Sequence, residues 1–405
     1  MSNAVFTIVS RNYFAYARTL GDSLRASNSG VEYNILVVDR KDPAFEAKHP
    51  DWRITWVEDL GIESFEHVAF KYDILELNTN VKPTFAKRLL DRHEKVVYLD
   101  PDIFVYASLQ KIFGLLDHHA VVLTPHITRP IDDGRLPGEP EFLTSGIYNL
   151  GFAAFNRSTE ARELVDWWER RCLSLAYNEQ AQGFFVDQKW MDFVPSLCDT
   201  ASILRDRQYN TAYWNLHERQ VEWHDGIAYI DACPLVFFHF SGLPPAGDDR
   251  VSKYQTRSLL SERQDVAPLF SAYRKQLEEN GHADYLKLPY GFGAFSNGMP
   301  ISGLARRVAA GSPAFQGVAR PFDCTGSLFA ALNASRLLAA GQPTAGGRAP
   351  GAADGNEEAR LTRITGIVFR LLLRVFGPPR YERLMRYIAR MSNLRGQGFL
   401  LQREI

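Results

Sequence analysis

The stretch Lys95-Val-Val-Tyr-Leu-Asp100-Pro-Asp102-Ile-Phe-Val105 is an apolar run that stops at a carboxylate, turns over a proline and resumes. A run this short and this apolar fits a buried strand. The pattern recurs outward from it. Residues 4–9 (AVFTIV) break into Ser10, Arg11, Asn12 and Tyr13, and residues 33–38 end at Asp39. Residues 54–58 (ITWVE) make a third candidate strand. Helical stretches lie between, one through Leu20 and Leu24 and one over 64–92, interrupted near 78–83. Short strands alternating with helices predict an α/β fold with a largely parallel sheet. Ligands of such sheets sit beyond the C-terminal strand ends. Ser10, Arg11, Asn12, Tyr13, Asp39, Asp100 and Asp102 are therefore the first candidate functional residues.

Downstream, a strand over 120–123 leads into a Pro/Gly/Asp-rich loop, 126–146, long enough to read as a lid or acceptor loop. Another strand over 147–155 precedes a helix that Ser158 or Thr159 can cap, with Trp167 and Trp168 expected in core packing rather than as a sugar platform. Residues 234–240 form one more apolar run, ending at His239-Phe-Ser-Gly242. Residues 259–340 read as an extension packed on the main domain. Residues 341–357 are rich in Gly, Ala and Pro and read as a flexible linker. From Arg360 onward the chain carries ten arginines against two glutamates, so 358–405 reads as a basic amphipathic helical tail, broken at Pro378-Pro379.

Among 405 residues, 45% hydrophobic and 23% charged residues with a net charge of −1 describe a globular protein. That balance gives no reason to expect nucleic acid as a partner. Cys172, Cys198, Cys233 and Cys324 show no zinc-type spacing and are expected as buried, reduced thiols. The N-terminus lacks signal-peptide character, and nowhere do about 20 apolar residues run together. A cytoplasmic protein is expected. The tail leaves two readings open: association with the anionic inner face of the cell membrane, or docking to protein.

Asp-x-Asp in a tight turn after a buried strand suits a hard divalent cation, Mn2+ or Mg2+, which binds few protein oxygens and completes its shell with phosphates. Pro101 fixes the φ of that turn. Such a cation can neutralise the charge on a departing diphosphate.

Tyr98-Leu-Asp100-Pro-Asp102-Ile-Phe-Val105 resembles the metal-binding element of family 8-type GT-A glycosyltransferases and of bacterial enzymes that build surface polysaccharides. Other pieces follow in the same order. Asn149-Leu-Gly151 is similar to the family's Asn-x-Gly element, Asp187-Gln188 to its Asp-Gln pair, and His239-Phe-Ser-Gly242 to its His-x-x-Gly element. The opening segment to Asp39 and the segment around Asn78, Lys82 and Pro83 resemble family stretches too.

The resemblance implies a GT-A domain over 1–258, with a Rossmann-like mostly parallel sheet, helices on both faces and a mainly helical C-terminal extension. It implies a retaining, metal-dependent transfer from a nucleoside-diphosphate-sugar to a glycan or lipid-linked acceptor. Asp100, Asp102 and His239 would hold the metal, and Asn149, Asp187 and Gln188 would line the transfer site. Ser10, Arg11, Asn12, Tyr13, Asp39, Lys82, Gly151, Gly242 and Lys253 would contact the donor. There is a departure: the family's lysine after His-x-x-Gly is missing, because Leu243-Pro244-Pro245 follows Gly242, and Lys253 or Arg257 would take the diphosphate contact. The residues themselves leave Asp187 open as a base or as a holder of the donor sugar. A catalytically silent nucleotide-sugar- or glycan-binding subunit of an assembly is the competing function.

Overall fold

The computed structural model describes residues 2–338 and 355–401, with side chains from residue 363 onward in the last stretch. The expected linker, 341–357, falls almost wholly outside these residues. The described residues divide into two compact units, one of 2–63 and 75–290, the other of 64–74, 291–338 and 355–401.

The first unit is built on a sheet with seven strands among the described residues. The chain forms β1 (Asn3–Val9), β2 (Glu32–Val37), β3 (Arg53–Trp56), β4 (Lys95–Leu99), β5 (Ile103–Val105), β6 (Val121–Pro125) and β7 (Tyr148–Asn156). In space the sheet runs from strand Ala201–Ile203 through β6, β7, β4, β1 and β2 to β3. All neighbours are parallel except β7, which runs against both β4 and β6. The mostly parallel α/β architecture read from the alternation is thus present, with one reversed strand in its middle.

Every residue of β4 is buried, which is why its sequence does not alternate. Helix α1 (Phe14–Ser27) buries Phe14, Ala17, Leu20 and Leu24 against the core that β1, β2 and β4 supply. The helix Thr159–Leu175 starts where Ser158 Oγ accepts the Ala161 N–H at 3.2 Å. It buries Trp168 completely, while Trp167 is half-buried against Trp190 and Phe193. The four cysteines are free; Cys172 and Cys198 are buried as expected, but Cys233 is exposed and Cys324 half-buried.

In the second unit, Phe70 packs among Phe295, Phe315 and Phe322. The buried Arg306 guanidinium donates to the carbonyls of Ala69, Phe70, Tyr72 and Phe292. The helix Gly355–Met391 is broken at Gly377, whose φ of 68° lies ahead of Pro378 and Pro379. Among the described residues no helix is long and apolar enough to cross a membrane.

Candidate functional site

The site begins where β4 ends. The Asp100 N–H donates to the Gly151 carbonyl at 2.8 Å, and the Ile103 N–H to the Asp100 carbonyl at 3.0 Å, closing a tight turn over Pro101. The next strand, β5, pairs antiparallel with strand Phe237–His239, and His239 lies opposite Ile103. That pairing brings together residues far apart in the chain. His239 Nε2 stands 2.9 Å from Asp102 Oδ1 and 3.6 Å from Asp100 Oδ2. One ligand atom from each of the three lies within 4.8 Å of the others.

Two carboxylates this close repel each other, and Asp100 and His239 respond. Burial raises the Asp100 pKa, Asp102 raises it further, and Lys82 and His239 oppose the rise. Burial alone would lower the His239 pKa, but Asp102 and Asp100 outweigh it and hold the imidazole above its ordinary value. Tyr98 Oη donates to Asp100 Oδ1, fixing that carboxylate. The donor set of two oxygens and one imidazole nitrogen, partly open to solvent on the carboxylate side, fits Mn2+ or Mg2+.

Gly151 explains its own presence. A Cβ there would lie 2.3 Å from His239 Cε1, so the imidazole rests on bare backbone. Trp214 meets the same ring edge-on at 5.1 Å. Gly242 has a φ of 68°, and a Cβ would meet Tyr254 at 2.5 Å.

The other candidates fall into two groups. Ser10, Arg11, Asn12, Tyr13 and Asp39 gather at the ends of β1 and β2. Asn78 Nδ2 donates to Ser10 Oγ at 2.8 Å, and Arg11 Nε pairs with the fully buried Asp39 at 3.2 Å. Asn12 is buried, and its Oδ1 has no hydrogen-bond partner among the described residues. Tyr13 is stacked on Tyr16 at 4.8 Å, and burial together with the Asp102 charge raises its phenol.

The second group is committed to the protein itself. Lys82 and Asp187, each 2% exposed at the side chain, pair at 2.6 Å, and Lys82 Nζ also donates to the Leu150 carbonyl at 2.8 Å. The ammonium sits 4.1 Å over the Tyr98 ring. Gln188 accepts the Leu150 N–H at 2.9 Å and donates to the Ser145 carbonyl at 2.9 Å. Arg257 binds Asp133 and the carbonyls of Arg135 and Pro137, pinning the 126–146 loop. Lys253 is exposed, its ammonium 4.9 Å from the Tyr254 ring. Of the two proposed phosphate contacts, Lys253 is the one left at the surface.

The sequence reading missed Tyr98, His126 and Asn210. Tyr98 lay inside the quoted motif as a strand residue. Asn210, with a φ of 51°, accepts from His239 Nδ1 at 3.3 Å, yet nothing in residues 208–215 repeats or alternates. His126 opens the loop whose length read as a lid or acceptor loop.

No family model matches the chain. Two Bacillus subtilis (strain 168) proteins, the uncharacterized YfnF and YfnD, are similar to it. YfnF is 28% identical over 256 residues, covering 60% of this chain and 82% of its own length. YfnD is 27% identical over 249 residues, covering 58% and 76%. Among solved structures the chain is similar to the galactosyltransferase LgtC in complex with donor and acceptor sugar analogs (15% identity, 68% of this chain, 95% of that chain, TM-score 0.40). It is also similar to the glycosyltransferase GlyE of Streptococcus pneumoniae TIGR4 (17% identity, 76% of this chain, 73% of that chain, TM-score 0.40). Likenesses of this strength leave the functional reading to the chemistry of the site.

Proposed function

We propose that the chain is a metal-dependent GT-A glycosyltransferase that moves a sugar from a nucleoside-diphosphate-sugar to a glycan or lipid-linked acceptor, in bacterial surface polysaccharide synthesis. The observation that carries this reading is the Asp100–Asp102–His239 cluster at the C-terminal end of β4. A divalent cation there supplies positive charge against the phosphate oxygens of a leaving nucleoside diphosphate. Asp100, Asp102 and His239 hold it, and the surface ammonium of Lys253 is the proposed second phosphate contact.

Asn12 offers a buried acceptor without a hydrogen-bond partner among the described residues, suited to a ligand hydroxyl or N–H. Tyr13 presents an aromatic face, 42% exposed, suited to a nucleobase. Ser10, Arg11 and Asp39 shape the same strand ends. Asp187 is locked to Lys82 at 2.6 Å and has almost no open face for an acceptor hydroxyl, which supports a role in holding the donor side of the site. It also supports retention over inversion, because an inverting base needs access to the acceptor. Both carboxylates and the imidazole are in place, which favours an active enzyme over a silent binding subunit.

For the tail we propose membrane association of the helix ahead of Gly377; its far end lies against protein instead, since a Cβ at Gly311 would meet the Arg395 carbonyl at 2.3 Å. At about 100° per residue, Arg363, Arg370 and Arg374 fall within about 40° of one another on the helix. Ile364, Ile367, Val368, Leu371 and Val375 are all exposed beside them. A cationic stripe beside exposed apolar side chains suits the interface of an anionic bilayer, and so a peripheral, cytoplasmic-face location.

A panel of nucleotide-sugars tests the central claim. One donor should raise the melting temperature only with Mn2+ or Mg2+ present and should be hydrolysed slowly. A complete panel without any metal-dependent shift or turnover would refute it.

A further inference from the structure

Behind His239 runs a chain of buried polar groups whose direction is dictated at two points by the backbone. The Ile147 carbonyl can only accept, and His126 Nδ1 lies 3.2 Å from it, so Nδ1 carries the proton. His126 Nε2 is then an acceptor, and Asn149 Nδ2 donates to it at 3.3 Å. The Gly151 N–H can only donate, and it reaches Asn149 Oδ1 at 3.1 Å, which independently sets the same amide orientation. Asn149 Oδ1 also accepts from Asn210 Nδ2 at 3.0 Å, and that Nδ2 donates to Thr124 Oγ1 at 2.8 Å. Asn210 must therefore turn its Oδ1 outward. That oxygen faces His239 Nδ1 at 3.3 Å, so it accepts a hydrogen bond from Nδ1–H, and Nε2 is the nitrogen aimed at Asp102 and Asp100.

We propose that His126, Asn149 and Asn210 are positioning residues that hold His239 with Nδ1–H turned inward and Nε2 presented to a divalent cation. This rests on the cation reading above and adds to it a reason why the imidazole faces the right way. Buried ligands need their other ring nitrogen bonded to fix ring and tautomer. Here the fixing reaches back three residues, to two main-chain groups. Burial drops His126 to about 4, which keeps it neutral and able to accept from Asn149 at physiological pH. In this relay Asn149 acts through other residues.

The test uses the full chain, free Mn2+ measured by EPR, and 15N-imidazole NMR. The unmodified protein should bind Mn2+, and its His126 should carry a proton on Nδ1 alone at pH 7. Asn210→Leu removes the acceptor and should weaken Mn2+ binding by about 10- to 100-fold. Asn210→Asp keeps an acceptor toward His239 Nδ1 and should stay near the unmodified affinity. A merely structural role would lower both variants alike, because both lose the bonds to Asn149 and Thr124.

Unaltered Mn2+ binding by folded Asn210→Leu, or equal losses in the two variants, overturns the relay alone. A His126 proton on Nε2 also overturns it, and that measurement stands even if the Leu variant does not fold. Failure of the unmodified protein to bind Mn2+ removes the cation reading and the relay together.

Discussion

The Asp100–Asp102–His239 cluster and the helix before Gly377 break the ordinary burial rule in opposite directions. At the cluster, polar side chains are buried: His239, Asn210, Asn149 and His126 are each 8% exposed or less. On the helix, apolar side chains are bare: Leu371 is 60% exposed and Val375 67%. Burying a polar group is tolerable only when hydrogen bonds replace water, and each of those four side chains has such a partner. Exposing a row of apolar groups is tolerable only when something else covers them. On the proposed reading the first region takes a small ion and the second an anionic surface.

The largest effect should come from breaking the cluster. Asp102→Asn leaves the fold intact but should abolish the metal-dependent thermal shift and lower donor hydrolysis by about a hundredfold or more. Turnover equal to the unmodified protein would remove the metal from the site. The matching break in the tail is the triple change of Arg363, Arg370 and Arg374 to Gln. At about 1 kcal/mol per arginine near an anionic surface, binding to phosphatidylserine vesicles should fall on the order of a hundredfold. A chain ending near Ala340 should not sediment with vesicles at all; sedimentation equal to the full chain excludes the membrane as the covering surface.

Gly151→Ala sharpens the contrast by pushing on the cluster without replacing a ligand. Its methyl collides with the imidazole, so a loss of about 1–3 kcal/mol in denaturant melts is expected, with weaker Mn2+ binding alongside. Acid should act in the same place. Asp100 and His239 both have raised pKa values, so both keep their protons to higher pH than usual and compete with the cation. Mn2+ affinity should climb as pH rises through those values, by up to about tenfold per unit for each proton displaced. Vesicle binding, carried by arginines, should stay flat over the same range.

Much of the cluster was visible in sequence because its parts are local. Asp100 and Asp102 sit in one turn, and a buried strand ending in a carboxylate can be read from five residues. His239 was reached by order of motifs, since 137 residues separate it from Asp102. The pairing of Lys82 with Asp187 was not legible, because nothing in a linear sequence marks a lysine that meets a buried carboxylate more than a hundred residues away. The 126–146 loop read as a lid or acceptor loop by its length, and Arg257 reaches it from more than a hundred residues away and fastens it.

What the amino-acid order settled by itself was the strand pattern, the Asp-Pro-Asp turn, the break at Pro378-Pro379 and the arginine stripe, all consequences of neighbours within a few residues. Which face of His239 meets the carboxylates was decided only by tertiary structure. The antiparallel pairing of Ile103–Val105 with Phe237–His239 and the hydrogen-bond direction passed from Ile147 and Gly151 through Asn149 and Asn210 set it. Hydrogen-bond polarity has no signature in a linear sequence, because an asparagine reads the same whichever way its amide is turned.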